Sequence, residues 1–200
     1  FERALVLAHG SGDAVSEAYA LMGLAWNHFE GGDRDTAREH YERVLQIARR
    51  LRMARSERII TGYLGLLEFD AGNLDLAESH LATAALASRR AGDLRVEGIF
   101  EGVRGGVLAS LDRIAESRAA FDLSDELLSR NAFYQGAIRV HRGHLDLAES
   151  RAAFAEGHES TARAHEGAAR WRIEEARSLS RRSDDARMAI KLLARAIARA

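Results

Sequence analysis

Large and small apolar positions recur along this chain with a period of 40 residues. Ala37, Ala77 and Ser117 are each followed four residues later by a large apolar residue, Tyr41, Leu81 or Phe121. Twelve residues before each small residue stands another, Ala25, Gly65 or Gly105, and five before it a turn former, Gly32, Gly72 or Asp112. Within a period the spacing is helical: Ala37, Tyr41, Val44, Leu45 and Ala48 share one face. The pattern and its polar punctuation predict helices over about 14–29, 34–51, 56–70, 74–90, 94–110 and 113–129. Asp13 and Asp33 are N-cap candidates. No segment alternates apolar and polar residues between hairpin turns, so the expected fold class is all-α. Self-similarity at this period marks stacked supersecondary units, because one helix pair cannot bury its apolar face alone.

The pattern changes at both ends. One period before Tyr41 stands Phe1, with Ala4 in the place of Val44. Residues 1–8 therefore read as the second helix of a unit whose first helix is missing, followed by a turn at 9–13. The chain also lacks an initiator Met, so it reads as a fragment of a longer protein. Past residue 130 the phase is lost. Leu74-Asp75-Leu76-Ala77-Glu78-Ser79 recurs as Leu145-Asp146-Leu147-Ala148-Glu149-Ser150, 71 residues later rather than 80. A long helix over about 132–156 is expected, then 158–179, then a last helix from 184 after Ser183, with a break at Gly143 as the alternative. Residues 1–129 thus form the repeats (a partial unit at 1–10, then 14–53, 54–93 and 94–129). Residues 130–200 form a degenerate repeat with capping helices, since the end of a stack must face water.

Composition narrows the function. The chain has 200 residues, 46% of them hydrophobic, enough for one domain or four to five helical pairs. It contains no proline, so every helix must be stopped by Gly, Asn, Asp or Ser. It contains no cysteine, which excludes disulfides, thiolate zinc sites and Cys nucleophiles and fits a reducing compartment. The net charge of −1 provides no general attraction to nucleic acid or anionic membrane. No apolar stretch approaches a membrane span. A cytoplasmic location without a membrane or nucleic-acid partner is therefore expected. Lys191 is the single lysine among 29 basic residues, a bias of the kind a GC-rich genome imposes.

Leu64-Gly65 in a first helix, Gly72 at the turn, then Ala77 and Leu81 in the second resemble the tetratricopeptide repeat family. The 40-residue unit and the missing proline are similar to the longer-helix variant of bacterial signalling and regulatory proteins. The third unit departs further, with Glu101 and Arg104 in apolar places and Asp112 in place of the turn glycine. The resemblance implies a right-handed α-α superhelix, a solenoid of antiparallel helix pairs whose first helices line a concave groove. The groove residues it implies are Met22, Trp26, Phe29 and Glu30, then Tyr63, Leu66, Phe69 and Asp70, then Ile99, Val103 and Gly106. Such an apolar, aromatic surface with an acidic edge suits a peptide or amphipathic helix. The same aromatics could equally pack between neighbouring helices. The expected function is a non-catalytic protein–protein interaction scaffold without cofactors. The alternative is a sensor module that binds a small ligand or a neighbouring domain of the same chain and so controls an effector: a transcriptional regulator, kinase or NTPase.

Four other features invite chemistry. Gly98, Gly102, Gly105 and Gly106 line one side of a helix, as a tight helix contact or a pocket floor; they lack the strand and Gly-Lys-Ser/Thr ending of a phosphate loop. His141 and His144 stand three apart near Asp146 and Glu149, with His158 and His165 beyond. Metal ligation from one helix favours i, i+4 spacing, so surface or partly buried histidines and no metal are expected. Arg187, Lys191, Arg195 and Arg199 make a basic stripe opposite Ala189, Ile190, Leu193 and Ile197, either a solvated face or a docking face. No nucleophile elbow, carboxylate pair or metal signature points to an enzyme.

Overall fold

The structure is a computed structural model that describes residues 1–179 and 184–198. Among the described residues there are ten helices and no strand: α1 (Glu2–Ser11), α2 (Ala14–Gly31), α3 (Arg34–Arg50), α4 (Ala54–Ala71), α5 (Leu74–Arg90), α6 (Leu94–Ser110), α7 (Ile114–Leu128), α8 (Ala132–Ala155), α9 (Glu159–Leu179) and α10 (Asp184–Ile197). The fold is all-α, and α2–α10 lie within two residues of the expected bounds, whereas α1 runs to Ser11, three residues past its expected end and into the turn expected at 9–13. Among the described residues no helix is long and apolar enough to cross a membrane.

With no proline available, the helices stop on a backbone device repeated along the chain. Residues 12, 32, 52, 72, 92 and 112 all have positive φ, so the left-handed residue recurs every 20 positions, half the sequence period. Each is followed by an N–H that bonds back to the carbonyl five residues earlier: Asp13 to Ala8, Asp33 to His28, Met53 to Ala48, Asn73 to Glu68, Asp93 to Ser88 and Arg113 to Leu108, at 2.8–3.0 Å. This is a Schellman closure, which satisfies orphan carbonyls at the helix end. The same residue then caps the next helix: the Asp13, Asp33 and Asp93 side chains accept from backbone N–H groups of its first turn. One residue thus ends one helix and starts another. Four of the six left-handed residues are glycine; Arg52 and Asp112 are not. The register breaks after α7, where Ser129 stays right-handed and Asn131 becomes the N-cap of a 24-residue helix. The glycine closure returns once more at Gly157.

The chain divides into two compact units, Phe1–Ala84 and Ala85–Ala200, with the boundary inside α5. In the first unit Ala25, Ala37, Tyr41, Ile60, Leu67, Ala77 and Leu81 are fully buried. Gly65 lies under α5: a Cβ there would stand 2.8 Å from Leu81 Cγ and 3.2 Å from the Ala77 carbonyl. In the second unit Leu108, Phe121, Val140 and Leu193 are fully buried. Val140 and Leu147 of α8 pack with Ala169 and Ile173 of α9 and with Ala189 and Leu193 of α10. α8 runs unbroken through Gly143, whose missing side chain seats Leu193; a Cβ there would lie 2.3 Å from it.

The turn geometry predicts opposite outcomes at two equivalent positions. A non-glycine residue in the left-handed region costs roughly 1 kcal/mol. Arg52→Gly should therefore raise stability and Gly72→Ala lower it, each by about 1 kcal/mol, in urea unfolding monitored by circular dichroism.

Candidate interaction surfaces

In the first unit the expected groove residues separate by depth. Phe29, Leu66 and Phe69 are buried, whereas Met22, Trp26, Glu30, Tyr63 and Asp70 are half-buried. Trp26 of α2 and Tyr63 of α4 meet with ring centroids 5.4 Å apart. Tyr63 also rests on the fully buried Tyr41 at 5.7 Å, and Trp26 stands edge-on to Phe29 at 6.0 Å. The aromatics therefore join helices through ring contacts while Trp26 and Tyr63 stay half-buried. The acidic edge is less open than its sequence implies. Arg34 bonds the Asp70 carboxylate, whose side chain is only 5% exposed. Sequence reasoning missed Tyr19, which is 54% exposed and extends the Met22–Trp26 stripe by one turn. The i−3 position on that stripe was the available signal.

The buried acid beside this surface is Glu68, 1% exposed. Burial pushes its carboxyl up, but hydrogen bonds from Arg38 and Asn73 and the charge of Arg38 outweigh that and hold it below the ordinary value.

In the second unit Ile99 is half-buried, while Val103 and Gly106 are buried. The glycine run of α6 is a tight helix contact. A Cβ at Gly98 would meet Leu128 at 2.9 Å, at Gly102 Ile138 at 2.6 Å and Ser124 at 2.7 Å, and at Gly105 Phe121 at 2.9 Å. Two serines of α7 close this seam: Ser117 Oγ donates to the Gly105 carbonyl at 2.8 Å and Ser124 Oγ to that of Gly98 at 2.7 Å. Both pairs are seven residues apart on their helices, so one antiparallel register serves both bonds. Glu101 takes its apolar place by pairing with Arg104 at 3.2 Å.

The expectation of surface or partly buried histidines is corrected at His141 and His144. His141 and His144 are buried, at 3% and 4% exposure, because α8 lies against α6 where Gly106 leaves room; the missing Cβ is 3.4 Å from His141. Ser110 donates its one hydroxyl proton to the Gly106 carbonyl, at 3.0 Å. Its oxygen, 3.3 Å from His144 Nδ1, is thereby left to accept from that ring. Burial pushes His141 down to about 4. Burial, then the nearby His141 and Arg151, pushes His144 down to about 3.

Asp146, Glu149 and His165 bring ligand atoms within 4.8 Å of one another, a grouping that could hold a metal. Two guanidiniums already serve it: Arg172 bonds Asp146, and Arg118 lies 2.7 Å from Glu149. His165 is 3.2 Å from Glu149, so the cluster is a charge network within the helix contact. His158 is exposed. On α10, Lys191 and Arg195 are exposed opposite buried Ala189 and Leu193, with Ile190 and Ile197 partly buried. The side chain of Arg187, and Arg199 and Ser183, lie outside the described residues.

The two buried imidazoles set an acid limit. Both are neutral in the fold and more basic, near 6.5, in the unfolded chain, so the unfolded state binds more protons between those values. Their neutral burial is fully tolerated above about pH 6.5, and stability is lost as pH falls toward 4, by up to about 1.4 kcal/mol per pH unit per ring. His141→Gln with His144→Gln should flatten the fall in melting temperature between pH 6.5 and 5, read by calorimetry. No family model matches this chain, and no curated protein matches it.

Proposed function

We propose that this chain is a non-catalytic, tetratricopeptide-type scaffold, a right-handed superhelix of helix pairs belonging to a larger bacterial signalling or regulatory protein. Its first helices bind a peptide or helix, with α2 and α4 as the principal contact. The observation that carries this reading is the contiguous, half-buried Trp26–Tyr63 pair, extended along α2 by Met22 and the exposed Tyr19. Rigid aromatics with one buried end and one open end supply binding area at little entropic cost. The 40-residue period with small residues at Ala25, Gly65 and Gly105 and at Ala37, Ala77 and Ser117 supports the repeat assignment. The covered carboxylate of Asp70 shifts the recognition toward apolar anchors rather than charge.

Peptides selected from a display library against the whole chain test the reading by calorimetry. Trp26→Ala should weaken a selected apolar or amphipathic peptide at least roughly tenfold. Leu86→Ser, at an exposed position of α5, should leave it unchanged. Equal binding by Trp26→Ala, or no peptide selected, would contradict the proposal.

A further inference from the structure

A cleft that does not involve the first-helix surface of α2 and α4 lies wholly within the second unit. Side chains of α7, α8 and α9 enclose an open cleft of about 600 Å³, a size suited to a small molecule. On α9, Trp171 lines it and is 59% exposed. Three guanidiniums also line it, Arg139 and Arg142 from α8 and Arg172 from α9.

Each guanidinium stands beside a carboxylate. Arg142 lies 2.5 Å from Asp125 and 3.7 Å from Asp122, and its guanidinium rests over the Phe121 ring at 4.9 Å. Arg172 bonds both oxygens of Asp146, and Arg139 lies 3.6 Å from Glu175. The cleft is therefore rich in charge but compensated internally, so it offers no net field for an ion. It offers held hydrogen-bonding groups instead. A guanidinium has five N–H donors, and these pairs use one or two. Beside Arg142, the carboxylates of Asp125 and Asp122 each offer about four acceptor positions. Gln135 donates through Nε2 to the Leu128 carbonyl at 3.1 Å, which orients its amide and leaves Oε1 as an acceptor. The cleft thus combines donors and acceptors with one open indole.

A hydroxyl both donates and accepts, so neighbouring hydroxyls on a ring match such a lining. The positively polarised C–H face of the same ring fits the negative face of an indole. We propose that this cleft binds a neutral, polyhydroxylated ring compound, a mono- or disaccharide. The sugar stacks on Trp171, and its hydroxyls accept hydrogen bonds from Arg139 and Arg142 and donate to the carboxylates beside them.

The chain has two tryptophans, so in the Trp26→Phe variant Trp171 is the only one and reports binding directly. Its fluorescence is followed while glucose, N-acetylglucosamine, maltose and cellobiose are added in turn, with ATP and an acidic peptide as charged controls. At least one sugar should give a saturable change at millimolar concentration or below, with an affinity that added salt leaves unchanged. Arg139→Ala should weaken that sugar roughly tenfold in calorimetry while the melting temperature holds, and Trp171→Leu should abolish the heat of binding. Three results would overturn the proposal: no change with any of the four sugars, sugar binding indifferent to Arg139→Ala and Trp171→Leu, or salt-sensitive binding of only the charged controls.

Discussion

Helices in this protein are spaced by side chains that are absent from their seams. At Gly65 the Ala77 carbonyl stands 3.2 Å from where a Cβ would be, and at Gly102 both Ser124 and Ile138 lie inside 3 Å. Interior glycines weaken a helix by about 1 kcal/mol each relative to alanine, a cost that close packing must offset. Here it brings backbones near enough for Ser117 and Ser124 to bond carbonyls of the facing helix. The large residues four positions after each small one, Tyr41, Leu81 and Phe121, are then fully enclosed. Gly143 extends the same principle beyond the repeat by seating Leu193.

Charge is arranged around these seams in pairs that join one helix to the next. Glu68 is bonded by Arg38 of the preceding helix, Glu97 by Arg89 and Asp146 by Arg172. A buried carboxylate is tolerated only when its lone pairs are met, and a planar guanidinium meets two at a time. The near-absence of lysine thus has a structural counterpart, whatever its genomic origin. Where such pairs gather beside an exposed indole, around Arg139, Arg142 and Trp171, the same arrangement leaves donors and acceptors facing an open cleft. The helix contacts and the Trp171 cleft thus share one kind of contact, the arginine–carboxylate pair.

Much of this was legible in the sequence. The helix bounds followed from the apolar period and from Gly and Asp at the turns, since these residues act within a few positions of themselves. The small-residue positions were legible because they repeat. Arg52 was not recognised as a left-handed residue, because it gives no sign of positive φ; only the 20-residue spacing of its neighbours does. The burial of His141 and His144 depends on Gly106, 35 and 38 residues away, in a stretch where the period has lapsed. The Trp171 cleft joins α7, the last helix of the periodic part, to α8 and α9 of that same aperiodic part. The Trp26–Tyr63 meeting was anticipated as a shared face, but the division between buried Phe69 and half-buried Trp26 needed coordinates.

The central claim is that the glycines of α6 are required by the helices against it, not merely tolerated. Gly102→Ala compared with Gly167→Ala by urea unfolding tests it most directly, because both are interior helical glycines and only Gly102 has atoms within 4 Å of a new Cβ. Gly167→Ala should stabilise by up to about 1 kcal/mol through helix propensity. Gly102→Ala should destabilise by about 2 kcal/mol through overpacking against Ser124 and Ile138. If Gly102→Ala stabilised the protein as Gly167→Ala does, the seam would not be what sets the spacing of these helices.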